Sequence, residues 1–433
     1  MRNILQHRGL RLIFIANLIS MMGSGLNSAA VTWYILQATH SETALGLMLM
    51  LQTIPAMLLL PFSGVIIDRE DRRRLVMVLD ASRALVVLAV ALLALHGSAK
   101  LWQVYAMSIL VAAGFWMFWP TMNALIQELT PESEFAQSNS FILAGFQGGW
   151  LVAGAIVGFV YNHIGLDGIL FVDFLSYVFS FSCYLFVRKG RHVVTPQSTR
   201  HHESEAARFF HELHEGISYI RLRPRVLLLG SCWALFMGGM LSQGIITAPL
   251  SDRLLKAGAV GYGWLNAGWA VGACVSALYA PRILRGTGHR RAIGAAMAVM
   301  GACLISLPFV GAHLHHHFHA IAVMVSTGLI AAVAIYVIMG SCRALGGVAI
   351  TTSMMEMVPK HFMGRVQNTF YFAATALQLG LSFAVGTAAH RLGLAYGFAL
   401  VGAVYLMACV SGIWPASHVA IPSEVTEHAV TVN

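Results

Sequence analysis

The chain is a succession of apolar runs, each of about 20 residues or more, the length a helix needs to cross the hydrocarbon core of a bilayer. Twelve are present, at 10–36, 43–66, 75–95, 101–127, 139–161, 166–187, 226–249, 259–283, 292–311, 320–345, 366–389 and 394–415. With 58% of 433 residues hydrophobic and only 10% charged, a soluble globule is excluded, because too little polar surface exists to cover it. The expectation is an all-α membrane protein. An even number of crossings returns the chain to the side where it began, and 21 of the 27 Lys and Arg residues fall in the N-terminus and the loops of that side. The positive-inside rule makes that side the cytoplasm, with both termini there. The net charge of +9 is then a matter of topology, and no nucleic-acid partner is expected.

The first thirty residues mimic a signal peptide, with Arg2, Arg8 and Arg11 ahead of an apolar run ending near Ala30. The run is long enough to cross and further spans follow at once, so an uncleaved first helix is expected. Six cysteines, one each on six different spans, offer no disulfide framework or paired-cysteine metal site. The His-rich run from His313 to His319 has no Cys, Asp or Glu beside it, and no metal or other cofactor is expected.

The longest interruption, 188–225, carries eight Lys or Arg and divides the spans six and six. This predicts an N-terminal bundle over 1–187, a cytoplasmic linker over 188–225, a C-terminal bundle over 226–415 and a tail over 416–433. Within the linker, Phe210, Leu213, Ile217 and Ile220 recur at helical spacing, predicting an amphipathic helix on the membrane surface or on the bundle. The halves also repeat in sequence. Glu128 to Pro131 closes span four, and Glu356 to Pro359 precedes span eleven, 228 residues later. Arg290 and Arg291 stand 218 residues after Arg72 and Arg73. A repeated six-helix unit is the architecture with which secondary transporters place one site between two halves. The two offsets differ by ten residues, which lie either in the His-rich loop or in span ten.

The densest charge in the first half, Asp68 to Arg74, is a short loop between spans two and three. Its pattern, Gly64, Asp68, Arg69, Arg72 and Arg73, resembles the loop signature of the major facilitator superfamily, with Asp71 where members often carry Gly. Leu125 to Pro131 with Ser138 to Ser140, Phe171 to Ser176, and Pro359 to Arg365 are similar to the branch that includes the enterobactin exporter and macrolide efflux pumps. The resemblance covers nearly the whole chain and implies twelve helices in two pseudo-symmetric bundles, exporting small amphipathic molecules by alternating access. It also implies a conformational gate in which Asp68 meets the start of span eleven at Gly364 and Arg365, with Gly64, Arg69, Arg72 and Arg73 on the same surface. Many members of that branch are acidic where this chain has Ser24, so the carboxylate often assigned to proton coupling is absent from that position. The superfamily's antiporter signature in span five has a Gly-Pro pair, and this span has no Pro.

Polar side chains inside spans need a partner or a water-filled cavity. Asp80 lies three residues from Arg83 and can pair with it on one helical face. A buried acid is also a candidate proton site, because leaving water disfavours its charged form. Asp80, Asp173, Glu128 and Glu356 are the acids considered for proton coupling. Asn17, Ser20, Ser24 and Asn27 form one stripe on span one, and Trp116, Trp119 and Asn123 with Gln127 another on span four. Together with Met240, Gln243, Asn266, Trp269, Tyr336, Met339 and Arg343, they are candidate cavity-lining residues for a flat, partly apolar substrate. Arg343 is in mid-span if the ten extra residues lie in the His-rich loop, where it would favour an anionic or catechol-type substrate. It reaches the cytoplasmic interface if they extend span ten. Three glycine pairs four apart, Gly145 with Gly149, Gly154 with Gly158 and Gly268 with Gly272, are expected to pack helices closely. The expectation is a monomeric, proton-coupled drug or siderophore-type exporter of the bacterial inner membrane, with a lipid or lysophospholipid translocator as the alternative. A membrane enzyme lacks its convergent side-chain cluster, and there is no nucleotide-binding loop for ATP-driven transport.

Overall fold

The computed structural model describes residues 8–129, 135–187, 205–313, 317–318, 325–358 and 360–413. The described chain is almost entirely helical, in the order α1 (Arg8–Thr39), α2 (Glu42–Arg69), α3 (Arg72–Leu95), α4 (Leu101–Leu129), α5 (Phe135–Leu185), α6 (Glu205–Arg221), α7 (Pro224–Ser242), α8 (Gly244–Pro249), α9 (Gly258–Thr287), α10 (His289–His313), α11 (Thr327–Met357), α12 (Lys360–Arg391) and α13 (Leu394–Ile413). A two-residue antiparallel pair, His317–Phe318 with Val325–Ser326, lies between α10 and α11. Ten described helical segments are long and apolar enough to cross a membrane. One of these windows straddles α5, whose two arms are separated by Gly165 at φ 65°, a left-handed conformation that favours glycine. With the first arm of α5 and the 30-residue α9, the described crossings number twelve. They form two six-helix bundles, with α7, α8 and a π-helical turn over Leu250–Leu254 making one crossing.

Hydrocarbon offers no hydrogen bonds, so each crossing satisfies its backbone internally as helix, and the turns rely on side-chain caps. Ser41 opens α2 by accepting from the Ala44 amide at 3.4 Å. Only Glu70 and Asp71 separate α2 from α3, and Asp71 caps α3 by accepting from the Arg74 amide at 3.1 Å. The acid that departs from the family signature is thus the N-cap of the next helix. The outward faces carry large apolar side chains such as Leu85, Trp102 and Phe159, each about two-thirds exposed, as a lipid-facing surface requires.

The same packing recurs in both bundles. In the first, α1 lies against α5, α3 against α4 and α5, and α2 against α4; in the second, α7 lies against α12 and α13, α10 against α11 and α13, and α9 against α11. Arg73 donates from Nε to the Tyr184 carbonyl at 2.7 Å and from Nη2 to the Leu185 carbonyl at 2.6 Å, at the end of α5. Arg290 in the first turn of α10 donates from Nε to the Ile413 carbonyl at 3.0 Å, at the end of α13. A cation on the terminal carbonyls of a neighbouring helix is favourable in both halves. The structural counterpart of Arg73 is therefore Arg290, one residue from the alignment read off the sequence.

The loop between α10 and α11 runs from 314 to 326, whereas that between α3 and α4 runs from 96 to 100. Most of the extra residues lie in that loop and not in the span. Arg343 therefore stands 16 residues from the start of α11 and 14 from its end, at mid-helix.

The linker helix α6 packs on α12 and touches α2, so it spans the two bundles. Its docked face is centred on Gly216, Tyr219 and Ile220; Ile217, expected on the buried stripe, is 38% exposed. The rotation follows from Gly216, where an added Cβ would lie 2.8 Å from the Arg365 carbonyl oxygen. Glu215 next to it pairs with Arg365 at 3.0 Å.

The expected glycine pairs do bring helices together. A Cβ at Gly149 would stand 2.5 Å from the Leu18 carbonyl oxygen and 2.8 Å from the Met22 amide nitrogen of α1, whereas one at Gly148 would meet only the Leu18 side chain at 3.3 Å. Gly149→Leu is expected to destabilise the detergent-solubilised protein by about 1–3 kcal/mol, the usual cost of overpacking. Gly148→Leu should cost clearly less; equal thermal midpoints for the two variants would contradict this account of the α1–α5 contact.

Candidate functional site

The first bundle encloses a continuous polar network. Asp80 and Arg83 pair across one turn of α3, and both are buried. Ser180 on α5 donates to the other Asp80 oxygen at 2.6 Å, and the Arg83 guanidinium lies 4.5 Å from the Phe118 ring centroid and 4.6 Å from that of Tyr177. The Tyr177 hydroxyl is 2.9 Å from Ser24 Oγ. Asp173, one turn earlier on α5, accepts from Asn27 Nδ2 at 2.6 Å and from Ser176 Oγ at 3.3 Å. The two acids differ in one respect. Asp80 is held by a cation, while the side chains bonded to Asp173 are neutral.

This network takes up Ser24 and Asn27, two of the four residues of the α1 stripe expected to line a cavity. All four are buried inside the first bundle, where Asn17 donates to Met122 Sδ at 2.6 Å and Ser24 and Asn27 join the network above. Asp173 accounts for Asn27 and Tyr177 for Ser24, whereas Ser20 Oγ is buried without a hydrogen bond. Asn266 is likewise in a helix contact: it donates to the Tyr262 carbonyl at 2.8 Å, and its Cβ lies 3.2 Å from where a Cβ on Gly154 would stand.

Trp116 reaches the second bundle, whereas Tyr336, Met339 and Gln243 are as buried as the α1 stripe. Trp116 on α4 sets its ring edge-on to Tyr371 of α12 at 6.5 Å, and Trp233 of α7 lies 5.3 Å from the same ring. Tyr371 remains 39% exposed although it sits well within α12, so a gap remains between the halves there. Trp119 and Asn123 follow on α4, half-buried. In the second bundle Trp269 lies 6.3 Å from Tyr336, whose hydroxyl is 2.9 Å from Thr247 Oγ1, and Met339 is buried beneath. Arg343, two turns beyond Tyr336, donates from Nε to Met240 Sδ at 3.0 Å and stands 6.0 Å from the Trp269 ring. Gln243 at the break after α7 is buried.

At the face where α2 begins, the halves are locked together. Glu42 is fully buried and pairs with Arg253 at 2.6 Å and with His390 at 3.4 Å. Arg253 also donates to the His40 carbonyl at 2.6 Å. Beside this lock, α2 meets α12 where Gly46 faces Gly386, with 3.2 Å between the Gly386 Cα and a Cβ placed on Gly46. Trp33 of α1 stacks on Tyr262 of α9 at 6.0 Å, and Gly158 of α5 closes on Ala259 and Val260. The sequence reading passed over Glu42, Arg253 and His390. The available signal was a lone acid at the start of span two, opposite the few cations on that side of the chain.

At the Arg72 face, Arg72 pairs with Glu128 at 3.0 Å and donates to the Ala124 carbonyl at 3.2 Å, so with Arg73 it braces helices within the first bundle. Glu356 is largely exposed, 4.0 Å from His289, in the position that Glu128 holds in the first half. The side chains of Asp68, Arg69 and Gln127 and the surroundings of Gly64 and Gly364 lie outside the described residues, as do the side chains of the His-rich loop.

The sequence profile of the Major Facilitator Superfamily matches residues 13–383. Among curated relatives, the uncharacterized MFS-type transporter YkuC of Bacillus subtilis is 24% identical over 406 residues, covering 88% of this chain and 86% of its own. Macrolide efflux protein A of Streptococcus pyogenes is 22% identical over 416 residues, 93% of this chain and 94% of its own. A solved structure of a POT family transporter in complex with 5-aminolevulinic acid superposes with a TM-score of 0.71 over 93% of this chain and 95% of its own, at 15% identity, a likeness of fold alone. The repeated six-helix packing, the polar core of the first half and the profile match across both halves have one common account: the chain is a membrane transporter, not an enzyme, and it belongs to the Major Facilitator Superfamily.

Proposed function

We propose that the protein is a secondary active exporter of small amphipathic molecules of drug or siderophore type, working by alternating access and driven by proton antiport across the bacterial inner membrane. The termini and the Arg72 face are cytoplasmic, as the distribution of Lys and Arg supports. The observation that carries the reading is the pairing of a charged lock at the opposite face with an aromatic gap between the bundles. Breaking the Glu42 contacts lets the halves rock about the gap, and re-forming them returns it to the cytoplasm. The efflux activity named for a relative similar over nearly its full length supports the direction of transport. Asp68 and Arg365 remain the proposed partners of the cytoplasmic gate, with Glu215 of the linker helix as a further partner of Arg365.

Asp173 is the proposed coupling acid. Neutralising Asp80 would leave Arg83 buried without its partner, whereas Asp173 can gain a proton without breaking an ion pair. The substrate and its stoichiometry with protons are set by transport assays. In proteoliposomes carrying a pH gradient, a panel of cationic, neutral and anionic amphiphiles should include members whose movement collapses with the gradient. Movement indifferent to the gradient, or exchange of labelled lipid alone, would refute proton antiport.

Asp173→Asn is expected to lower gradient-driven flux at least about tenfold, the scale of a lost proton-transfer step. It should keep a near-native thermal midpoint and retain substrate exchange without a gradient. Asp80→Asn should instead destabilise the fold by about 3–5 kcal/mol, the cost of breaking a buried pair. Unchanged gradient-driven flux in Asp173→Asn would move the coupling site elsewhere. In a cysteine-free background, Thr43→Cys, placed where the Thr43 hydroxyl donates across the seam to the Gly386 carbonyl at 3.3 Å, reports the outer lock. Glu42→Gln is expected to raise its labelling by a membrane-impermeant maleimide from outside at least about fivefold, as the balance between the two packings shifts. An unchanged rate would show that the lock does not set that balance.

A further inference from the structure

The second bundle has a charge problem that the first has solved. From Val226 to Ile413 the sequence contains only two acids, Asp252 and Glu356, and both stand near the ends of crossings. Arg343 sits at the middle of α11, 13 residues before Glu356 and so about 20 Å from it along the helix. Its polar contact is the Met240 sulfur, a weak acceptor, with Trp269 near one side. In the first bundle, Arg83 is paired with Asp80 and lies against two aromatic faces. Arg343 is half-buried, and a cation at that depth without a carboxylate is costly in a membrane protein unless water or an anion completes it. Two polar atoms on the flanking helices are also buried without a hydrogen-bond partner, Gln243 Oε1 after α7 and the Tyr405 hydroxyl on α13. The Tyr405 ring packs on Gly239, next to Met240, and its hydroxyl is a donor an anion can use.

The same helix supplies an aromatic platform at a fixed reach. Trp233 lies seven residues before Met240 on α7, on the same face and about 10 Å along the axis toward the Arg72 face. Its ring joins Tyr371 and Trp116 in the gap between the bundles. A cation at one end and a partly exposed aromatic cluster at the other fit a molecule with a flat ring joined by a short arm to a carboxylate.

Resting on the exporter reading above, we propose that Arg343 binds the anionic group of an aromatic carboxylate substrate whose ring lies on the Trp233, Tyr371 and Trp116 cluster. The chain thereby selects anionic amphiphiles over cationic ones of the same shape.

The test uses the full chain in lipid nanodiscs and two matched probes, pyrenebutyrate and pyrenebutylammonium, with binding read at equilibrium as energy transfer from protein tryptophan to pyrene. Pyrenebutyrate is expected to bind at least about tenfold more tightly than the ammonium, the worth of one charge-assisted contact. Arg343→Gln should erase that preference and Arg343→Lys should keep most of it. Arg343→Gln should also raise the thermal midpoint of the ligand-free protein, because it removes an uncompensated charge; a purely structural arginine would lower it. Equal affinity of the wild type for both probes, or a preference that survives Arg343→Gln, would overturn the proposal. If proteoliposomes export neither probe while Arg343-dependent binding persists, the exporter reading fails and the anion site stands.

Discussion

Hydrocarbon cannot hydrogen-bond, and that constraint shapes this protein at every level. It forces the crossings into helices, places caps such as Asp71 in the short turns, and requires every polar side chain inside a bundle to find a partner within the protein. The first bundle answers it in large part with contacts running from Asn27 to Asp173 and from Ser24 through Tyr177 to Arg83 and Asp80, although Ser20 Oγ and one Arg83 nitrogen are left without a hydrogen bond. The second meets it incompletely, with one cation against a thioether and an indole ring. Two halves with the same packing therefore differ in electrostatics. One pairs its buried cation with an acid, and the other presents a charge to whatever enters between them.

Contact between the halves relies on small residues and one buried acid. Gly46 against Gly386, and Gly154 and Gly158 against α9, let backbones approach closely where no bulky side chain must be displaced. Such contacts are held by dispersion and are easily broken and remade. Glu42 adds specificity, since a buried carboxylate between Arg253 and His390 is stable only while both bundles are in place. Aromatic pairs fill the interior of the seam and leave Tyr371 partly uncovered.

The linker helix illustrates how pattern and packing diverge. Its apolar spacing marked it as amphipathic, and it is a helix over Glu205–Arg221. Which face docks was decided by a glycine that hydrophobicity does not register: Gly216 allows the closest approach to α12, so Tyr219 and Ile220 turn inward and Ile217 outward.

Periodicity and length determined the helical class, the twelve crossings and the six-and-six division, because the cost of exposing peptide groups to lipid acts on each segment separately. The local pairing of Asp80 with Arg83 was legible for the same reason, being set by helical spacing within one segment. What the sequence could not decide was the direction in which a polar stripe points. Asn17, Ser20, Ser24 and Asn27 have the spacing of a cavity wall, yet all four are buried in the bundle interior, where Asn27 meets Asp173 and Ser24 meets Tyr177. The mid-helix position of Arg343 depended on where the extra residues of the second half were placed, and the lock at Glu42 joins residues more than two hundred positions apart. Those contacts depend on how separate helices are arranged in space, which only the tertiary structure decided, because the energies that fix them arise between segments and not within any one of them.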